Sequence, residues 1–371
     1  MTDLEDRIRD ALQDPRWQLP AWPDPMPRVR RAARRQRAGL AIATAVLLAA
    51  VVTPLALLPG LLSHPPGAKP SAVGTRSSSP VHTTPSGAGG LPVPAWAKRL
   101  HGEVAYKCGD YVCLMRPDGT GQRTLTATFP EWDPAWSPDG RRLAFRGYYG
   151  TAEGDYDLYV VDANGCHLTR LTHRMNGISP SWSPTGRQLA FAVGGIDVIN
   201  ASGTGFRHLT ADASRYEDDT PAWSASNRIA FVRTRMGTSL GEIYTMNADG
   251  SGVAPLTRGG PGFGEPSWSP DGKSIAFVAV TDSLDSAGII EVASADGTGV
   301  HRVSPSSWTS HNPTWTPGGK IVFLVQQGTR TSAYIVNPDG TGMRQLYPDL
   351  AAASGSIQIA WGSAPLPRAG C

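Results

Sequence analysis

The sequence predicts an all-β protein, a six-bladed β-propeller preceded by one transmembrane helix. Three observations predict it. Tryptophans recur at positions 136, 182, 223, 268, 315 and 361, spaced 46, 41, 45, 47 and 46 residues apart. Each belongs to a unit of four short strands separated by Gly turns, which is the mark of a propeller. Residues 38–62 form an uncharged apolar run, longer than the ~20 helical residues that cross a bilayer.

Composition agrees. The 371 residues include 42 Gly and 32 Pro, which suits a chain built of turns. The net charge of +3 is too small to imply a nucleic-acid partner. It hides an asymmetry, because residues 1–37 carry nine Arg against six acids.

Taken in order, residues 2–13 read as a short amphipathic helix. Thr2 caps it with Glu5 three positions on, Leu4, Ile8 and Leu12 make an apolar stripe, and Pro15 stops it. Such a helix would dock a cytosolic partner. Arg28, Arg30, Arg31, Arg34, Arg35 and Arg37 follow, immediately before the apolar run. The positive-inside rule puts this cluster and the N-terminus, residues 1–37, in the cytosol. Pro54 and Pro59 sit near the far end of the span, where a break costs least. A cleaved signal peptide would have a shorter apolar core, and a lipoprotein anchor would need a cysteine after the run. The expectation is an uncleaved, single-pass signal-anchor over 38–62 in the cytoplasmic membrane, with the repeats outside. Residues 63–95, rich in Ser, Pro and Gly, read as a flexible linker. The propeller then runs from 96 to 364, with a tail over 365–371.

Each propeller unit repeats four features. A Pro-x-Trp strand (A) comes first, as at Pro134–Trp136. A tight turn such as Ser137-Pro-Asp-Gly140 leads to a short apolar strand (B), as at Leu143–Phe145. A third strand (C) alternates apolar and polar residues, as at Glu242–Met246. A second Gly turn, as at Asp249-Gly250, leads to a fourth strand (D) ending in Leu-Thr, as at Leu256-Thr257. Asp-Gly favours the positive φ that tight hairpins need. The unit Glu103–Thr126 has B, C and D but no A, and the chain's end, 357–361, has an A with nothing after it. Joining 357–361 to 103–126 makes a shared sixth blade and leaves no open inner edge.

The tryptophan, the Ser-Pro-Asp-Gly turn, the Ile-Ala-Phe strand and the Asn-Ala-Asp-Gly turn together resemble the WD40-like (PD40) repeats of the TolB C-terminal propeller. The resemblance covers every repeat. Copies depart from it at Trp223–Asn227, Thr316–Gly319 and Trp361–Ser363. The amino-terminal domain of that family is not evident, and a membrane anchor takes its place. The resemblance implies a periplasmic binding propeller with protein partners.

Strand direction alternates, so the A–B and C–D turns share one face and the B–C and D–A loops share the other. The second face carries long, dissimilar loops, where function is usually grafted. Its aromatic and charged residues are the candidate binding set: Trp132, Asp133, Tyr148, Tyr149, Tyr216, Glu217, Asp218, Asp219, Phe263, Glu265, Trp308 and His311. Tyr and Trp bring apolar area with a polar tip to such surfaces.

Other chemistry is thin. Gly237–Gly241 matches the Gly-x-Ser-x-Gly pattern, but it lies between propeller strands instead of at a strand-to-helix elbow. Glu153, Asp155 and Asp157, and the run Glu217–Asp219, lack the spacing of a calcium loop. The His residues show no zinc spacing. No cofactor or metal is expected. Cys108 and Cys113 flank a hairpin and could pair in an oxidising compartment. Cys166 and Cys371 could form a second bridge that holds the ring closed.

The leading expectation is therefore a membrane-tethered, extracytoplasmic, non-catalytic module that binds a protein or other envelope component. One alternative is a transmembrane sensor that couples the propeller to a cytosolic regulator through residues 2–13. Another is a propeller enzyme whose site has no recognisable motif.

Overall fold

The computed structural model describes residues 94–126, 131–148, 156–210, 212, 214–238, 240–260, 262–280, 288–328, 330–348, 350 and 359–363. The expected N-terminal helix, Arg cluster, membrane span and nearly all of the linker lie outside the described residues, as do Tyr149, Glu153, Asp155, Cys371 and the tail. Among the described residues no helix is long and apolar enough to cross a membrane.

Six four-stranded antiparallel sheets make six blades. Blade I holds β1 (Glu103–Cys108), β2 (Tyr111–Met115) and β3 (Arg123–Thr124). Blade II holds β4 (Glu131–Trp136), β5 (Arg142–Tyr148), β6 (Tyr156–Asp162) and β7 (Thr169–Arg170). Blade III holds β8 (Ile178–Trp182), β9 (Gln188–Ala192), β10 (Ile196–Asn200) and β11 (Arg207–His208). Blade IV holds β12 (Tyr216–Trp223), β13 (Arg228–Arg235), β14 (Gly241–Asn247) and β15 (Ala254–Pro255). Blade V holds β16 (Phe263–Trp268), β17 (Ser274–Val280), β18 (Gly288–Ser294) and β19 (His301–Arg302). Blade VI holds β20 (Thr309–Trp315), β21 (Ile321–Gln327), β22 (Arg330–Val336) and β23 (Arg344–Tyr347).

The last strand, β24 (Ile359–Gly362), pairs antiparallel with β1, Tyr106 opposite Ile359 and Glu103 opposite Gly362. This is the shared-blade closure the sequence predicts. The described strand ends one residue beyond the expected 357–361, and Ile357 and Gln358 lie outside the described residues. The innermost strands β4, β8, β12, β16, β20 and β24 neighbour one another in a closed ring.

A 3-10 turn, Ala95–Arg99, follows Pro94. Ala97 is buried, and Trp96 packs on a core that includes Met115, Tyr347 and Trp361.

Each motif residue has a physical task. The apolar B and C strands pack against the next blade, so the core is six inter-blade clusters, as around Phe145, Phe191, Phe231, Phe277 and Phe323. The repeat tryptophans join these clusters and pin neighbouring blades. The Nε1–H of Trp182 donates to Ala135 O at 3.0 Å, that of Trp268 to Ala222 O at 3.1 Å, and that of Trp315 to Ser267 O at 3.0 Å. The pattern changes where the sequence does. Asn227 replaces the turn Gly in blade IV, and its side chain takes the Trp223 N–H at 3.0 Å. At the closure, Trp361 donates to His101 O at 2.9 Å. The hydroxyl that opens each A–B turn closes it, as Ser137 accepts Arg142 N–H at 2.9 Å and Ser269 accepts Ser274 N–H at 2.9 Å.

The Leu-Thr ending also has a reason. The Leu enters the core, and the hydroxyl after it receives a strand-C amide. Leu158, Ile196, Ile243 and Ile290 donate to Thr172, Thr210, Thr257 and Ser304 at 2.8–2.9 Å. Blade I departs from this. There Val112 N–H goes to the carboxylate of Glu131 at 3.2 Å, and Thr126 Oγ1 has no partner among the described residues.

Candidate binding face

The inner strands carry a feature that the repeat pattern alone did not announce. The residue before each motif proline sits at positive φ: Asp133 at 56°, Ser179 at 52°, Thr220 at 45°, Glu265 at 50° and Asn312 at 53°. Each coincides with a register shift against strand B. A bulge there rotates the strand and re-aims its side chains. Three of these side chains reach the inner strand of the next blade. Asp133 Oδ2 accepts Ser179 N–H at 3.3 Å, Glu265 accepts Asn312 N–H, and Asn312 Oδ1 accepts Ile359 N–H at 2.8 Å. The available clue was the recurrent polar residue ahead of Pro-x-Trp.

Asp133 and Glu265, expected as ligand-binding residues, are thus also part of the ring's construction. Their charges meet on the same rim. Asp219 lies close enough to Glu217, Asp133 and Glu265 for all three to repel its charge, and burial adds to this. Burial first, and these neighbours after it, push its carboxyl up to about 6. Asp219 Oδ1 finds no hydrogen-bond partner among the described residues. The protein crowded around Glu265 raises its carboxyl although the side chain is exposed to solvent, with the Asn312 N–H opposing.

Asp218 has another role. It is buried and holds Arg233 through two bonds of 2.7 Å each. Arg233 also lies over the rings of Tyr216 at 4.8 Å and Tyr244 at 5.1 Å. This ion pair and its aromatic bed fix the start of β12, so Asp218 belongs to the scaffold. Asp157, one of the acids weighed for calcium, is fully buried and bonded to Arg170, to Thr172 at 2.7 Å, and to the Arg174 and Met175 amides. Among the described residues no group of three or more His, Cys, Asp or Glu is placed to hold a metal.

The remaining candidates divide by packing. Phe263 meets Phe277 edge-on at 5.6 Å and joins the core between blades IV and V. Trp308 lies 4.5 Å from Tyr334 and packs on the core between blades V and VI. Burial lowers the pKa of His311, which pairs across the sheet with Leu324. Tyr216 is half-buried and Glu217 is exposed.

At blade II the face changes sign. Trp132 stands edge-on to Tyr156 at 5.6 Å, and Tyr148 meets Tyr156 at 5.5 Å. Lys107 and Arg146 both lie over the Trp132 ring, at 5.1 and 5.5 Å. Composition could not single out these cations, because the fold alone brings β1, β4 and β5 together there. The two cysteines of blade I are joined, with a Cα–Cα distance of 5.8 Å, inside the usual disulfide range.

Comparison with known proteins agrees with the fold. The family model described as the TolB beta propeller domain matches residues 176–364. A 71-residue stretch is 34% identical to the Tol-Pal system protein TolB of Zymomonas mobilis; it covers 19% of this chain and only 15% of that protein. Among solved structures, TolB from Acinetobacter baumannii superposes with a TM-score of 0.59 at 21% identity, over 73% of this chain and 68% of the other. A chain of a nidogen/laminin complex gives 0.54 at 11% identity, over 70% and 98%. The tricorn protease gives 0.52 at 17% identity, over 69% of this chain and 27% of the other. These structural likenesses show the fold.

Proposed function

We propose a binding role from one premise: the chain belongs to the TolB β-propeller domain family. It acts as a non-catalytic module, tethered through residues 38–62 outside the cytoplasmic membrane, and it holds an envelope protein on its loop face. The observation that carries this reading is the charge pattern of that face. A rim of acids around Asp219 stands beside a cation–aromatic cluster around Trp132. A surface with both signs side by side selects its partner by complementarity.

Three further observations support the reading. The acids that catalysis would call on have work in the scaffold, Asp133 and Glu265 between blades and Asp218 with Arg233. The Cys108–Cys113 bridge suits an oxidising compartment. The matched relative from Zymomonas mobilis is itself named for an assembly, the Tol-Pal system.

The test is affinity capture from membranes with the full chain as bait, against a variant carrying Glu217→Ala and Asp219→Asn. An envelope protein held by the wild type and lost by the variant supports the reading. Capture of a cytosolic partner alone, equally by both baits, overturns it in favour of a sensor working through residues 2–13. A reporter fused after Cys371 that is active only in the cytosol would overturn the location.

A further inference from the structure

Lys107 is 7% exposed. Its ammonium lies over the indole of Trp132, and it has no ion-pair or hydrogen-bond partner among the described residues. Partial loss of hydration makes an ammonium costly unless something supplies the opposite charge, and a ring quadrupole offsets only part of that cost. The second cation, Arg146, makes matters worse for Lys107. Loss of hydration is the main cause that lowers the Lys107 pKa, and Arg146 adds to it against the pull of Asp110 and Asp133.

Arg146 is itself incompletely satisfied. Its Nε is buried without a hydrogen bond and stands 3.4 Å from Asp133 Oδ2. Asp133 already accepts the Ser179 amide. The Arg146 guanidinium lies over both Trp132 and Tyr156, at 5.5 and 4.9 Å. Two cations therefore converge on one indole; among the described residues Asp133 acts on both, and Asp110 also acts on Lys107. Asp110 sits on the exposed β1–β2 turn.

We infer that Lys107 and Arg146, with Trp132 and Tyr156, form a subsite for an organic carboxylate. Asp133 offsets one of the two positive charges at the rings, and Asp110 reaches Lys107 only from the solvent-exposed turn, so among the described residues there is room for one negative charge beside the rings. The acids beyond Asp133, namely Glu217, Asp219 and Glu265, disfavour a dianion such as a phosphate ester. The rings offer flat apolar area to the hydrocarbon part of the ligand. Such a carboxylate could come from an acidic side chain or from a sugar acid. The inference rests on Lys107 and Trp132 and does not require the partner to be a protein.

The experiment is calorimetric titration of the full chain in detergent, at low salt. The probes are N-acetylglutamate, glucuronate, neutral N-acetylglutamine and inorganic phosphate. The variants are Lys107→Met, which keeps the buried volume apolar, and Arg146→Gln. A carboxylate probe is expected to bind, and either variant to weaken it about tenfold or more, as when one partner of a buried charge pair is removed. Whichever of the two carboxylates binds more tightly identifies the source. A second readout is the Lys107 side-chain NMR signal, assigned by its loss in Lys107→Met. The bound carboxylate should raise the pKa of this ammonium, which a purely structural lysine would not show. Equal binding of the neutral amide, phosphate binding as tight as either carboxylate, undiminished binding to Lys107→Met, or no binding of either carboxylate to a folded wild type would each overturn the inference.

Discussion

The side chain of Asn312 accepts the backbone N–H of Ile359 at 2.8 Å, and so ties the last complete blade to the strand that closes the ring. Asn312 holds φ at 53°, a conformation asparagine tolerates better than most residues. Asn312→Ala loses the bond and keeps the strain. We expect a loss of about 2 kcal/mol in unfolding free energy, with the amide of Ile359 exchanging faster than those of β9 or β13. Unchanged exchange at Ile359 would show that β24 is held by its pairing with β1 alone.

Thr220 offers the converse test. It occupies the same ring position at φ 45°, where a β-branched residue is strained. Its buried Oγ1 has no partner among the described residues. Thr220→Asn should relieve strain and stabilise the protein by about 1 kcal/mol. A lower melting temperature for this variant would mean that the bulge in blade IV is specific for threonine.

Glu131 makes stability depend on pH. The residue is fully buried, among the described residues its carboxylate accepts only Val112 N–H at 3.2 Å, and burial pushes its carboxyl from 4.5 up to about 8. Between those values the folded protein keeps a proton that the unfolded chain has released, so stability falls as pH rises through this window. Glu131→Gln keeps an acceptor for Val112 and removes the titration. The variant should match the wild type near pH 4.5 and gain on it up to about pH 8, by on the order of a few kcal/mol. Parallel melting curves across this range would show that Glu131 is already ionised in the fold.

The Asp218–Arg233 pair should report in stability, not in binding. Asp218→Ala strands a buried guanidinium and should cost roughly 3 kcal/mol or more. Arg233→Met on that background should recover much of the loss. Chemical denaturation of the single and double variants measures the coupling, and additive losses would mean the two residues act independently.

The Cys108–Cys113 bridge closes a short loop, so its loss through Cys108→Ser should cost only about 2 kcal/mol. Non-reducing mass mapping is expected to recover this pair, and also to find Cys166 linked to Cys371 at the ring closure. Recovery of Cys371 as a free thiol in oxidised material would remove the second bridge.

How much the sequence determined follows from what its residues do locally. The turns were legible because Gly at positive φ and the Ser137 or Ser269 hydroxyl act within a few residues of themselves. The repeat period, the missing strand before Glu103 and the spare strand at the end then required a ring with a shared blade, and β24 pairs with β1 accordingly. The loop face was legible as a topological consequence of alternating strands.

What each residue does on that face was decided by tertiary structure. Asp218 and Glu217 are neighbours in sequence, yet one is buried against Arg233 and the other is exposed. Asp133 meets Ser179 across 46 residues, and Lys107 meets Trp132 from another blade. Hydrogen bonds and charges act over a few ångströms of space, and 15 to 46 residues of chain separate the groups that the fold brings that close. The sequence by itself determined the scaffold; only the closed ring decided which of its polar residues hold the blades together and which remain to meet a ligand.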